Sequence, residues 1–363
     1  MRKAIVAGIL ILAVGGGAFA QLIDLSPLAA DINTLLEGIG REVAPQLQQI
    51  ALSGDVMGEA ELGNFPHFSL SVIGAGVTIS SGIGNFMDSP DTDWKFLLAF
   101  PEIISTALAA APEAEQYYTM TKNVFPYPAL RLGLGFGIAG GFELLVNGFA
   151  IPQMIVDSVA GLVNVPAVSS AKLDIMNVGV RVRKVLLRDE GFKPAVSAAV
   201  GYTYSSFLVG YGPFSLAEIL GEPIDLTVTT LNLEGELRMS TLVHSAGMDF
   251  HVSKRLFIFT PFLKISPWLQ WTTFSALTDL TATAGTESLQ LIAEPEVNLS
   301  DLSVFITSGI ELKLLILVLS TSVTLNLENP LLNVPKLLQT PFLELDEPVL
   351  NGLSVNLGLR LQI

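Results

Sequence analysis

The sequence predicts an all-β protein, a transmembrane antiparallel β-barrel of about 12 strands, with 14 at the upper end of the count. Three observations carry that expectation. Many segments alternate apolar and polar residues over nine or more positions, as in "ALRLGLGFGIAGG", "AVSAAVGYTYSS" and the terminal "NGLSVNLGLRLQI". Half of the 363 residues are hydrophobic, yet after the first twenty there is no uncharged apolar run long enough for a spanning helix. Barrel strands place apolar residues at every second position, where they escape a helix-based reading. Third, the chain opens on an export-like segment. A soluble sandwich also alternates, but its strands run about five or six residues, whereas a tilted membrane strand needs about 9–11.

Arg2 and Lys3, the apolar stretch from Ala4 to Val14 and the Ala18-Phe19-Ala20 site read as a signal peptide over 1–20, with a mature chain starting near Gln21. The alternative, an N-terminal membrane anchor, needs a longer apolar core. There is no cysteine, so neither a lipoprotein nor a disulfide framework is expected. Loss of Arg2 and Lys3 would take the formal charge from −15 to −17, which argues against a nucleic-acid partner.

Residues 21–60 read as an amphipathic helical segment. Ser26 can cap it and Pro27 can occupy its first turn. Leu28, Ile32, Leu35, Leu36 and Ile39 form an apolar stripe opposite Asp31, Asn33 and Glu37. Gly38, Gly40 and Pro45 are expected to break the helix, with Val43, Leu47 and Ile50 in a second piece. Such a stripe must be buried. It can plug the barrel lumen, lie on the membrane surface or cap the periplasmic mouth.

The barrel is expected over 61–363. Weaker strands are expected at 66–80, 141–150, 224–240 and 286–298, and a hairpin turn at Ser253-Lys254-Arg255. Helical inserts are expected near 93–118, 152–163 and 213–221, the last with a capping box from Ser215 to Glu218. Phe125 and Tyr127, Tyr202 and Tyr204, and Trp268, Trp271 and Phe274 suit aromatic girdles at the two membrane interfaces.

The last eight residues, "NLGLRLQI", place Asn356, Gly358, Leu361 and Ile363 in a polar–glycine–apolar–apolar pattern. This resembles the C-terminal signal by which barrel-assembly machinery recognises outer-membrane proteins, with Ile363 where an aromatic is usual. The resemblance implies assembly by strand addition, in which side-chain positions set register. "STLVHSAGMDFHVSKRLFIFTPFL" and the "SGIELKLLILVLS…GLSVNLGLRLQI" ending resemble uncharacterised outer-membrane barrels of diderm bacteria over the C-terminal third. The apolar inserts resemble the N-terminal hatch of long-chain fatty-acid outer-membrane transporters, although that family's Asn-Pro-Ala motif is missing.

With apolar parity facing lipid, the lumen receives Arg131, Glu143, Arg181, Arg183, Asp249, Lys264, Glu311 and Arg360. Five cations against three anions can pair across the barrel, or can hold the carboxylate or phosphate head of a substrate. His67, His244 and His251 show no metal spacing, and no G-x-S-x-G elbow or P-loop occurs. The expectation is therefore neither an enzyme nor a cofactor or metal protein. Its expected partners are outer-membrane lipid, barrel-assembly machinery and a hydrophobic or amphipathic ligand. Three functions stay open: a channel or transporter for such molecules, with 22–52 controlling passage; a structural or surface-contact barrel with a closed lumen; or a soluble periplasmic lipid carrier.

Overall fold

The computed structural model describes residues 26–52, 57–62, 67–79, 124–127, 131–151, 171–215, 224–226, 229–284, 287–328 and 353–362. The signal-peptide reading at 1–20, the inserts at 93–118 and 152–163, residues 216–221 of the third insert and Ile363 lie outside the described residues. Among the described residues, the α-helix α1 (Ser26–Leu52) is followed by β1 (His67–Ile79), β2 (Val124–Tyr127), β3 (Leu132–Ile138), β4 (Phe142–Ile151), β5 (Ala171–Leu187), β6 (Ala195–Ser215), β7 (Ile224–Leu226), β8 (Thr229–Ser253), β9 (Phe259–Ala284), β10 (Glu287–Ala293), β11 (Glu296–Leu314), β12 (Leu317–Glu328) and β13 (Leu353–Gln362).

All pairings are antiparallel. The order β9-β11-β12-β13-β1-β3-β4-β5-β6-β8 returns to β9, which closes a ten-strand barrel. The short β2, β7 and β10 continue the lines of β3, β6 and β11 along β1, β8 and β9. Ten is fewer than the twelve expected. Alternating runs that read as separate strands are pieces of single long ones: 224–240 and 242–252 belong largely to the 25-residue β8. Likewise 286–298 and the following run share one edge of β9, in a common register across Glu294-Pro295.

Tight connections gather at one end, called here the turn end: 139–141, 188–194, 254–258 and 315–316. Between that end and a belt formed by Tyr202, Tyr204, His244 and Trp271, outward positions are predominantly apolar. Val178, Val180 and Val182, Met248 and Phe250, and Leu263, Ile265 and Leu269 all stand exposed. Inward positions there are mostly polar and buried, including Asn177, Ser197, Thr203, Ser245, Ser266 and Gln270. Beyond the belt the pattern inverts. Outward positions become Glu234, Glu236 and Arg238 on β8, Thr273, Ser275 and Asp279 on β9, and Glu296, Asn298 and Ser300 on β11. Inward positions become Phe207, Val243, Phe274, Ala276 and Val297.

Trp268 and Phe274 were expected in a girdle beside Trp271. Both are of inward parity and only 1% and 2% exposed, whereas Trp271 faces out. The period of two decides this, because an even position on β9 cannot share a face with an odd one.

Helix α1 lies inside the barrel, packed on inward residues of β6, β8, β9, β10 and β11. It runs from the far end, where Leu36 meets Phe274, Ala276 and Val297, to Leu52 against Trp268 and Phe305 nearer the turns. The expected break does not occur. The helix passes unbroken through Gly38, Gly40 and Pro45 over its 27 residues. Gly40 has a packing role, since a methyl there would overlap the Phe274 ring. A glycine that weakens an isolated helix by about 1 kcal/mol is required here by the close approach of β9.

Candidate functional site

The turn-end half of the lumen is filled by α1, by residues 57–62 and by charged side chains from the wall. The eight lumen charges read from parity (Arg131, Glu143, Arg181, Arg183, Asp249, Lys264, Glu311 and Arg360) are all buried. They fall into three groups. Around the end of the helix, Arg131 donates to the carbonyls of Ala51 at 3.1 Å and Ile50 at 3.5 Å, and to Asn177 Oδ1 at 3.0 Å. Asn177 Nδ2 donates to the Ala51 carbonyl at 3.0 Å. These donors meet C-terminal carbonyls that have no partner within the helix. A cation there also suits the helix dipole.

At mid-height, Arg181 Nε is 3.1 Å from Asp249 Oδ2, and Trp268 Nε1 donates to Asp249 at 3.0 Å. The Arg181 guanidinium lies over the Trp268 ring, 5.3 Å from its centroid. Lys264 borders a void of about 20 Å³ with these residues, and a second void of about 10 Å³ lies against Met57, Arg183 and His251. Each has room for about one water.

The third group is centred on a residue that sequence reasoning missed. Glu59, in the strap between helix and barrel, is 2.8 Å from Arg255, 3.4 Å from Arg360 and 3.9 Å from Lys313, and it accepts from Gln362 at 2.8 Å. Burial opposes its ionisation, but Arg360, Lys313, Gln362 and Arg255 outweigh it and hold the carboxyl below the usual glutamate range. Arg360 also pairs with Glu311 at 3.1 Å, and Glu311 accepts from the Gly58 amide at 2.6 Å. Arg183 pairs with Glu143 and donates to the Glu59 carbonyl at 2.8 Å, while Glu143 accepts from the Leu62 amide at 2.7 Å. The strap Met57-Gly58-Glu59-Ala60-Glu61-Leu62 is thus held to the wall by both side chains and main chain. Its only sequence signal is an acidic pair among small residues, and the side-chain partners of Glu59 lie some 200 to 300 positions away.

Among the apolar stripe, Ile32, Leu36 and Ile39 pack on the far-end wall. Leu35 is half-buried on the same helix, and the Leu28 side chain lies outside the described set. For the terminal pattern, β13 closes the ring between β12 and β1. Asn356 points inward, Gly358 faces Ser320 and Gly74, and Leu361 is of outward parity.

No protein-family model matches the chain, and no curated protein does. Among solved structures it is similar to the Ralstonia pickettii toluene transporter TbuX, at 10% identity over 86% of this chain and 92% of that one, with a TM-score of 0.23. That likeness is too slight to bear on the fold or the site, which stand on strand pairing and side-chain contacts.

Proposed function

We propose that this protein is an exported outer-membrane β-barrel that admits hydrophobic or amphipathic small molecules past a resident helix. The observation that carries the membrane reading is the inversion of polarity. From Ala195 to Tyr204 and from His244 to Ser253, about ten residues of strand present apolar side chains outward, which suits the 9–11 residues that a tilted strand needs to cross the hydrocarbon. The Tyr202, Tyr204, His244 and Trp271 belt is the outer interface, the turn end faces the periplasm, and the far end rises into water.

The plug supports the transport reading through its two unlike halves. Near the turns it is tied by Arg131, Asn177 and the Glu59 group; toward the outside it packs through Ile32, Leu36 and Ile39. Apolar contacts of that kind can part for a greasy ligand, while the anchored half keeps the plug in place. The lumen charges serve first to hold the strap and the helix end, and secondarily to offer cations to a carboxylate or phosphate head.

Deleting 22–52 should raise ion conductance in planar bilayers while the barrel still migrates as a heat-modifiable species. The intact protein in proteoliposomes should pass a fluorescent fatty-acid analogue faster than a sugar of similar size. The voids of about 20 and 10 Å³ favour a second reading, a structural barrel with a closed lumen. No flux of either solute and no conductance after deletion would establish that one.

A further inference from the structure

On the outer wall near the turn end, a row of register partners runs Phe142, Lys184, Ala198, Phe250 across four strands. The next row is Leu144, Val182, Val200, Met248. Ala198 is the one small side chain in these two rows. It leaves a groove of about 270 Å³ floored by alanine, walled by Val182, Val200, Met248 and Phe250, with Lys184 and Phe142 at its turn-end mouth.

The Lys184 stem lies along the groove, and its ammonium turns toward the rim, where it donates to the Gly140 carbonyl and sits 4.1 Å from the Phe142 ring centroid. This is the posture of a lysine that keeps its charge at an interface. Among the described residues no carboxylate lies within ion-pair distance of it, in a chain of net charge −15. The neighbouring rim carries exposed apolar side chains at its turn tips. Phe257 and Leu315, at the tips of two tight turns, are 98% and 92% exposed. Each has φ of +58°, a left-handed conformation that bulky residues rarely adopt. Phe192, at the tip of a third turn, is fully exposed.

We propose that this groove is a binding site for one anionic glycerophospholipid of the inner leaflet, with an acyl chain against Ala198 and the phosphate on Lys184. The proposal rests on the membrane reading above. A single lysine at the surface is worth about a fivefold preference for an anionic head.

The test is native mass spectrometry of the intact protein released from nanodiscs containing equal phosphatidylglycerol and phosphatidylethanolamine. Wild type should retain one phosphatidylglycerol, about fivefold over phosphatidylethanolamine. Lys184→Gln should bring the ratio close to one, Lys184→Arg should restore it, and Ala198→Leu, which fills the groove, should reduce retention of both lipids. An unchanged ratio in Lys184→Gln, unchanged retention in Ala198→Leu, or a dimer that Ala198→Leu dissociates would overturn the site while leaving the membrane reading intact. Failure of the membrane reading itself would show separately, as release of the wild-type protein by carbonate.

Discussion

Strand β9 carries two opposite patterns on one ladder. From Phe259 to Trp271 its outward side chains include Leu263, Ile265 and Leu269, and its inward ones Lys264, Ser266 and Gln270. From Thr272 on, Thr273, Ser275 and Asp279 face out, and Phe274 and Ala276 face in. The strand does not change its pairing at the crossing point, since its register with β8 and β11 continues through it. On the membrane reading proposed above, what changes is the solvent that each face satisfies. The turn-end half is apolar outside and polar inside, as suits lipid around a polar plug anchor. The far half is polar outside and apolar inside, as in a water-soluble barrel wrapped on a helix. One strand carries both patterns in a single register.

The sharpest break of this comparison is removal of a buried charge. Arg360 is 1% exposed and serves both Glu311 and Glu59. Arg360→Met leaves the buried Glu311 carboxylate without its ion-pair partner and Glu59 with one fewer, and should cost about 3–5 kcal/mol, read as a lower urea midpoint for loss of the heat-modifiable band. The far-half counterpart, Lys172→Met, breaks the half-exposed Lys172–Glu236 pair at 2.8 Å and should cost about 0–1 kcal/mol.

Outward arginines come next. Ile265→Arg, within the apolar band, should cost about 2–4 kcal/mol. Leu277→Arg, on the same face of the same strand but beyond the belt, should stay within about 0.5 kcal/mol. Equal costs at the two sites would place both in one solvent and sink the inversion as a membrane boundary.

A smaller effect sits at the helix. Gly40→Ala should gain about 1 kcal/mol of helix propensity but lose about 1–3 kcal/mol by overpacking Phe274. The expected outcome is a net loss and a rise in basal conductance, both reversed when Phe274→Leu makes room.

Much of this was legible locally. A period of two is a property of neighbouring residues, so the inward parity of Arg181, Arg183 and Arg360 could be read without knowing which strands pair. The apolar stripe of α1 was legible in the same way. The long-range features were not. Strand count depends on which alternating runs join into one strand, and β8 hides two. Gly40 read as a helix breaker because nothing nearby in sequence announces Phe274. Glu59 had no visible partner because Arg255, Lys313 and Arg360 reach it only through ring closure.

The smallest expected effect is also the most selective, a response to acid confined to the turn end. Glu59 ionises below its ordinary value of 4.5 because Arg360, Lys313, Gln362 and Arg255 overcome the cost of its burial. At the rim, Lys254 and the Arg255 amide likewise overcome burial to depress Asp189 below its ordinary 3.8. A depressed carboxyl contributes its stability in full above its unfolded value and loses it as pH falls through the folded one. Acidification from neutral through about pH 4 and below should therefore loosen the strap at 57–62. The clasp of Ile32, Leu36 and Ile39 on Phe274 and Val297 has no charge to lose. Hydrogen exchange, corrected for intrinsic rates, should show protection falling over 57–62 before it falls over 32–39. Glu59→Gln should lower protection of the strap at neutral pH and flatten its dependence on acid. Should both segments lose protection together at every pH, the plug would be one cooperative unit, and its two halves could not part independently for a ligand.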